Sequence, residues 1–435
     1  MLQSQECVER FRTEARFFTR RRKLVFEDLV VLILSAHRYS MQNAINFLYR
    51  QLDRLSDLVT ASAYSQARRK IKPELFSYLH SEVLRLFYAP EDLVEDLVEG
   101  PAEDPIVTWC DRRLVGGDIT MINLPETPHL RRTYSVQTNT RSTMGVVQAA
   151  GLVCFDLLND VTLGGHLLKR ASAGQMLREH GVNDLAPGDV LVLDREFGDT
   201  GLMAFLCHRK QDFIIRVKTT QFLTEVRQFV ESGALEAIVE IRVAPKQRAL
   251  ARAHDLPMQM TLRLVRHDLP TGTVEVLITS LLDQLCYSRA SIIEAYGLRW
   301  NIETFFDRLK NIFELERFSS TTSQGVEQDF HGMLFLSTLE SILTRPAARA
   351  LRHGSQERGC KQHQTVNRSV SYAALLEMII ELLCDTGKSV DTVLEEITLL
   401  LMKKPQAIRP GRSYKRTPLN QSKQPRYLRY RRRLT

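Results

Sequence analysis

The chain has 435 residues and a mass of 49.9 kDa, enough for two or three domains at roughly 150 residues each. With 44% hydrophobic and 25% charged residues, its usage is that of an ordinary folded protein and excludes wholesale disorder. The longest apolar runs, 29–34 and 202–207, are six residues, far short of the roughly 20 that cross a bilayer; no secretory leader opens the sequence, so a membrane or secreted protein is not expected.

Charge is informative by location. The net charge is +8, yet residues 403–435 hold twelve Lys/Arg and no Asp/Glu, which leaves residues 1–402 at −4. A tail of this kind reads as a polyanion-binding arm that displaces counterions from a phosphate backbone. Tyr414, Tyr427 and Tyr430 interleave with its arginines and suit base or sugar contacts, pointing to nucleic acid. The seven cysteines are scattered and form no C-x-x-C pair, as expected of reduced thiols in a cytoplasmic protein. Cys360, His363 and His353 lack a fourth ligand at zinc spacing.

In chain order, residues 1–90 read as helical. Phe26, Leu29, Val30 and Ile33 recur with helical period, and Ala44, Ile45, Leu48 and Leu52 repeat the pattern after Ser40. A third helix follows Thr60 and places Arg68, Arg69, Lys70 and Lys72 on exposed turns. Residues 91–104, acidic and with Gly100 and Pro101, read as a linker. Strand-like runs then begin, at 113–124 around Gly116-Gly117 and at 146–158, the latter turning into a third strand near Asn159-Asp160. A helix over 168–180 precedes the short strand 189–194. That strand, apolar on both faces, belongs inside a helix-covered sheet, and Asp194 stands at its carboxyl end, where open α/β sheets place ligands. Residues 213–282 alternate as further strands around one helix at 222–232. A long helix runs from 288 to 313, with two or three more before the tail.

The stretch 296–310, YGLRWNIETFFDRLK, carries the most chemistry. Tyr296, Arg299, Glu303 and Lys310 stand at offsets 0, 3, 7 and 14 and fall on one helical face. An Arg-Glu pair four residues apart is ordinarily worth only a few tenths of a kcal/mol; that bland account explains neither the Tyr nor the Lys. Metal-assisted phosphodiester chemistry needs carboxylates converging on two divalent ions, and Mg²⁺ favours carboxylate oxygens with phosphate and water. Asp118, Asp194 and Glu303 are the three acids at suitable strand or helix positions.

These residues resemble the DDE transposases of bacterial insertion sequences, in the group with the Y-x2-R-x3-E-x6-K signature. Tyr296, Arg299, Glu303 and Lys310 fit that signature at every position. GGDITMINLPETPHLRRTY is similar to the first-aspartate block, with Asp118 in the catalytic place, and VLVLDREFGDTGLMAFL to the second, with Asp194. FIIRVK, VLITSLL and ERFSSTTSQGVEQDFHGMLF extend the likeness over roughly residues 25–345.

The resemblance implies an α/β fold: a ribonuclease-H-like mixed sheet flanked by helices, with a β-rich insertion, an N-terminal helical domain and a basic C-terminal tail. The expected domains are 1–100, helical and a candidate for binding DNA ends; 105–345, catalytic, with the insertion at about 213–285; 346–402, helical; and 403–435, the tail. It further implies hydrolysis at inverted-repeat ends and attack of the freed 3′-hydroxyl on target DNA. Asp118, Asp194 and Glu303 would hold two Mg²⁺ ions, with Mn²⁺ able to substitute. Tyr296, Arg299, Lys310 and, beside Asp194, Arg195 would grip DNA phosphates. The partners would be double-stranded DNA, inverted repeats and target, met by a homodimer on paired ends in the bacterial cytoplasm, associated with the nucleoid when bound to DNA. The group of residues 68–72 is the candidate surface for reading DNA.

Two features depart from the family pattern. Ile119 follows Asp118 where glycine is usual, and Asp111 competes as first acid. The insertion also has no tryptophan, so Phe222, Phe229 or Tyr287 would have to stack any flipped base, while Trp300 reads as helix packing. Two alternatives stay open: a catalytically inactive, transposase-derived DNA-binding protein, and a ribonuclease-H-like DNA nuclease or resolvase.

Overall fold

In the computed structural model the described residues are Leu2, 4–20, 22–35, 40–89, 105–139, 142–219 and 223–408. The expected linker at 91–104, Phe222, and Tyr414, Tyr427 and Tyr430 of the tail lie outside them. Five described helices come first: α1 (Gln5–Phe11), α2 (Phe26–Ser35), α3 (Met41–Gln51), α4 (Ala61–Arg68) and α5 (Glu74–Phe87). β1 (Leu114–Asn123), α6 (Pro128–Thr133), β2 (Ser135–Asn139), β3 (Ser142–Asp156) and β4 (Val161–Leu168) follow. Then come α7 (Ala173–Glu179), β5 (Val190–Leu193), α8 (Thr200–His208), β6 (Asp212–Val217), α9 (Thr224–Ser232) and β7 (Glu236–Arg242). α10 (Arg248–Ala253), β8 (Gln259–Asp268), β9 (Val274–Thr279), α11 (Arg289–Gly297) and α12 (Trp300–Asn311) lead to the long α13 (Ser323–Glu357). β10 (Gln364–Thr365), α14 (Arg368–Leu383), α15 (Val390–Lys403) and β11 (Gln406–Ala407) complete the described chain. No described helix is long and apolar enough to cross a membrane.

The chain divides into two compact units. Met1–Pro105, Asn123–Gln148 and Asp307–Thr435 form the first, and Ile106–Ile122 with Ala149–Phe306 the second.

The first unit is mainly helical. Ser40 and Thr60 begin α3 and α4 by accepting the N–H groups of Asn43 and Ala63, which satisfies donors the helices leave open. All six side chains of the apolar run 29–34 are fully buried. A helix apolar all round belongs in the interior, and α2 packs there against α13 and α14 while α5 packs along α13.

Arg68 corrects the sequence reading. It is 4% exposed, because its guanidinium donates to Asp329 Oδ1 (2.7 Å), Gln328 Oε1 (2.6 Å), Ser319 Oγ (2.6 Å) and the Gly325 carbonyl (2.7 Å). Gln328 returns a bond to the Ile71 carbonyl at 2.7 Å. Arg69 remains exposed, with Lys70 and Lys72 half-buried. The arginine nearest the end of α4 is therefore a tie to α13 and takes no part in a DNA-facing row.

The second unit is built on a mixed sheet flanked by helices. Its strands run in the order β3-β1-β5-β6-β9-β8-β7, with β4 paired to β3. β1, β5 and β6 are parallel, and β6 pairs antiparallel with β9, β9 with β8, and β8 with β7. The strands of 213–282 thus continue one sheet through β6. All four residues of β5 are fully buried, as a strand covered on both faces must be. Ser172 caps α7 by accepting the Gln175 N–H, which starts that helix later than its apolar pattern suggests.

The Arg68 network yields a stability prediction. Arg68→Ala strands the buried Asp329 carboxylate and should lower unfolding free energy by about 3–5 kcal/mol, whereas Arg69→Ala should stay within about 0.5 kcal/mol. Urea unfolding monitored by circular dichroism measures both; equal stability of the two variants would refute the structural role of Arg68.

Candidate active site

Strand register places the first two acids. Gly117 of β1 lies opposite Leu193 of the parallel β5. β5 ends there while β1 runs on, so Asp118 and Asp194 follow side by side on strands about 4.8 Å apart. The position is the carboxyl edge of the parallel strands, the usual ligand edge of such sheets.

A glycine admits the third. Gly116 shares a face of β1 with Asp118. A Cβ on Gly116 would stand 2.7 Å from Leu157 Cδ2 and 3.6 Å from the Ile302 Cβ. The bare backbone lets α12 lie close on β1, where Phe305 stacks on Phe155 with ring centroids 4.7 Å apart. Glu303 follows Ile302 and is carried to the same edge.

The charges register this proximity. Burial pushes the Asp118 carboxyl up to about 7; the Ile119 N–H, donating at 2.7 Å, and Arg299 oppose the shift, while Asp194 and Glu303 add to it. Asp194 Oδ1 accepts the Glu196 N–H at 2.8 Å and caps a single helical turn at Arg195–Phe197, on which Arg195 is exposed. Glu303 Oε1 accepts from Arg299 Nη2 at 2.8 Å.

Arg299 is 6% exposed. Burial opposes its charge, but Glu303 and Tyr296 outweigh burial and hold its pKa above the ordinary value. Its guanidinium lies 5.8 Å from the Tyr296 ring centroid and 5.4 Å from that of Trp300. The Tyr296 hydroxyl and Arg299 Nε are both buried with no hydrogen-bond partner among the described residues.

The continuous helix expected over 288–313 is in fact two. The Arg299 N–H reaches the Tyr296 carbonyl and the Ile302 N–H the Arg299 carbonyl, both at 3.1 Å. These tight i→i+3 bonds separate α11 from α12 just after Gly297. Tyr296 ends one helix, and Glu303 and Lys310 ride the next. Lys310 belongs to the first unit; burial lowers its pKa and Glu316 opposes the shift.

Other expectations resolve locally. Asp111 is exposed in a left-handed turn (φ 57°) at the amino end of β1, the end opposite Asp118. Ile119 lies on the strand face opposite Asp118, so its bulk does not narrow the acid cluster. Trp300, expected as packing, is 52% exposed, because it opens α12 with Arg299 over its ring. Phe229 is buried and Tyr287 stacks on Trp109 at 5.4 Å. Sequence reasoning passed over the role of Gly116, although the doubled glycine marked it.

Among the described residues no three His, Cys, Asp or Glu side chains converge closely enough to hold a metal ion as they stand. Each acid instead holds a protein donor: Ile119 N–H, Glu196 N–H or Arg299. The donor set is nonetheless three hard carboxylates, one of which, Asp118, is pushed up to about 7 chiefly by burial. That chemistry fits a divalent cation such as Mg²⁺, for which those donors would have to be exchanged.

Residues 118–339 match the family model described as "Transposase DDE domain". The chain is 23% identical over 348 residues, 77% of its own length and 73% of the relative's, to Transposase InsG for insertion sequence element IS4 of Escherichia coli (strain K12). A piggyBac transposase synaptic complex with hairpin DNA aligns over 95% of this chain and 88% of its own at 12% identity and a TM-score of 0.44, a likeness too slight to argue from.

Two glycines test the packing beside the site. Gly116→Val should cost about 1–3 kcal/mol through overpacking against Leu157 and Ile302. Gly297→Ala, whose Cβ would enter open space, should be neutral or stabilising by up to about 1 kcal/mol. Denaturant midpoints measure both, and a silent Gly116→Val would show that α12 does not depend on this contact.

Proposed function

This chain belongs to the transposase DDE domain family, and on that premise we propose that it is an insertion-sequence transposase that cuts DNA at inverted-repeat ends and transfers the freed 3′-hydroxyl into target DNA. The observation carrying this reading is the strand register that sets Asp118 beside Asp194 at the carboxyl edge of the parallel strands, with Glu303 near enough to add to the rise of a carboxyl pKa that burial dominates.

Asp118, Asp194 and Glu303 are the residues that would hold two Mg²⁺ ions, or Mn²⁺ in their place. When bound, such ions supply Lewis acidity that activates the attacking oxygen and stabilises the leaving one. The protein's own part is positioning. Arg299 offers a planar fork to a phosphate oxyanion, with the Tyr296 hydroxyl beside it as a second donor. Arg195 offers a further phosphate contact, and Lys310, in the first unit, a phosphate contact of its own.

The antiparallel β3–β4 pair beside the parallel β1-β5-β6 core, with acids at its carboxyl edge, supports a ribonuclease-H-like catalytic domain at 105–345. The N-terminal domain, 1–100, binds DNA ends in this reading. Its support is a cavity of about 580 Å³ bordered by Arg16, Arg20, Arg22, Lys23 and Lys70. The helical region 346–402 and the basic tail 403–435 follow, with the tail adding phosphate contacts. The protein acts as a homodimer on paired ends, in the cytoplasm and on the nucleoid.

Glu303→Gln should abolish Mg²⁺-dependent cleavage of a DNA carrying the element's ends and leave end binding within a few-fold. Gel analysis of cleavage and of 3′-strand-transfer products tests this; retained cleavage would remove Glu303 from the site, and cleavage without transfer products would favour a nuclease. Truncation after Met402 should flatten the log–log salt dependence of DNA affinity by about 0.9 per lost phosphate contact, and an unchanged slope would show the tail to be inert.

A further inference from the structure

The seven cysteines all fall among the described residues, and three of them, Cys110, Cys286 and Cys360, are exposed. Two of these three meet. Cys110 lies in the turn that enters β1, and Cys286, 176 residues further on, in the loop between β9 and α11. The Cys110 thiol donates to the Cys286 carbonyl with Sγ 3.9 Å from the oxygen. Both residues belong to the second unit.

The fold holds the two turns together. Trp109 and Arg112 close the first by exchanging backbone bonds at 2.8 and 3.0 Å, with Cys110 (φ 49°) and Asp111 (φ 57°) left-handed between them. Trp109 precedes Cys110 and Tyr287 follows Cys286, and their rings stack at 5.4 Å and 26°. Arg112 donates from Nη1 to the Tyr287 hydroxyl at 3.2 Å and from Nε to the Gly188 carbonyl at 2.7 Å. Arg263, fully buried, donates to the Tyr287 carbonyl at 2.7 Å. The approach of the cysteines therefore rests on a stacked aromatic pair and two anchored arginines.

The two thiols differ in their surroundings. Asp283 Oδ1 accepts the N–H groups of Leu285 at 2.9 Å and Cys286 at 3.1 Å. The same carboxylate accepts the Cys286 thiol and pushes it above its ordinary pKa, which favours the protonated, less reactive form. Cys110, whose sulfur lies against a neutral carbonyl, is the more open to an oxidant.

We propose that Cys110 and Cys286 form a redox-modification site, which hydrogen peroxide converts within one chain to a disulfide tying the entry of β1 to the loop before α11. The proposal goes beyond the transposase reading and does not depend on it. Peroxide transfers an oxygen to the Cys110 sulfur, giving a sulfenic acid and one water. Rotation of the exposed Cys286 side chain away from Asp283 frees its sulfur to attack. The S–S bond forms as the S–O bond breaks, and the Cys286 proton leaves with the hydroxyl as a second water. Two thiols and one peroxide thus become one disulfide and two waters. The bridge closes a loop across 176 residues, and long loops are where a cross-link restrains the unfolded chain most.

The test treats the full chain with hydrogen peroxide, blocks the remaining thiols with iodoacetamide in denaturant and maps unreduced peptides by mass spectrometry. Free thiols should fall from seven to five, with one linked pair of peptides, Cys110 to Cys286, which dithiothreitol releases. The oxidised protein should unfold at a higher urea concentration than the reduced one. Cys110→Ser and Cys286→Ser should each abolish that rise, while Cys360→Ser keeps both the link and the rise. Sulfinic acids at Cys110 and Cys286 with no linked peptide, linkage of either to Cys360 in equal yield, or a covalent dimer in place of the internal link would each overturn the proposal. An unchanged urea midpoint in protein that carries the bridge would overturn it too.

Discussion

Parallel pairing of β1 with β5 is the constraint on which the site depends. Once Gly117 is set against Leu193, Asp118 and Asp194 have no freedom to be elsewhere, because a slip of one residue would turn either side chain to the opposite face. The third acid needs a second constraint, close approach of α12, and this follows from the missing side chain at Gly116. Both are backbone facts. Asp194 and Glu303 add to the cost of charging Asp118, which burial already raises.

That cost separates the two buried charge clusters of the molecule. Arg68 is buried against Asp329 and surrounded by acceptors, so its charge is balanced and its role is to hold α4 to α13 within the first unit. At the edge of β1 the balance is deliberately poor. Three acids face one guanidinium, Asp118 is raised towards neutrality, and two donors are left without partners. Stability alone would select against such an arrangement, and structures keep such strain where a ligand relieves it.

The continuous sheet gives the site its surroundings. Because β6 pairs with β5 on one side and with β9 on the other, the strands between the second aspartate and the glutamate share a frame with the acids. At the amino end of β1, Cys110 and Cys286 depend on a different device, the Trp109–Tyr287 stack and the Arg112 bond that hold their turns together.

Much of this was legible in the linear chain. The all-apolar run of β5 announced a strand covered on both faces, and the alternating segments after it announced β6 to β9. The acids and the Tyr-Arg-Glu-Lys spacing pointed to phosphodiester chemistry, and the resemblance they carry identified the family. Periodicity overreached at residues 297–299, where it could not see that tight turns split one helix into two. It also left Arg68 on the surface, since its partner Asp329 is 261 residues away and local pattern holds no record of so distant a neighbour.

The sequence by itself determined which residue types were available and which local elements they form, because propensity, capping and hydrophobic period act over a few residues. Only the tertiary structure decided that Asp118, Asp194 and Glu303 share one electrostatic neighbourhood, that the Tyr296 hydroxyl and Arg299 Nε are left unpaired, and that Cys110 meets Cys286. Those are consequences of strand register, helix approach and turn packing, all set by contacts between segments far apart along the chain.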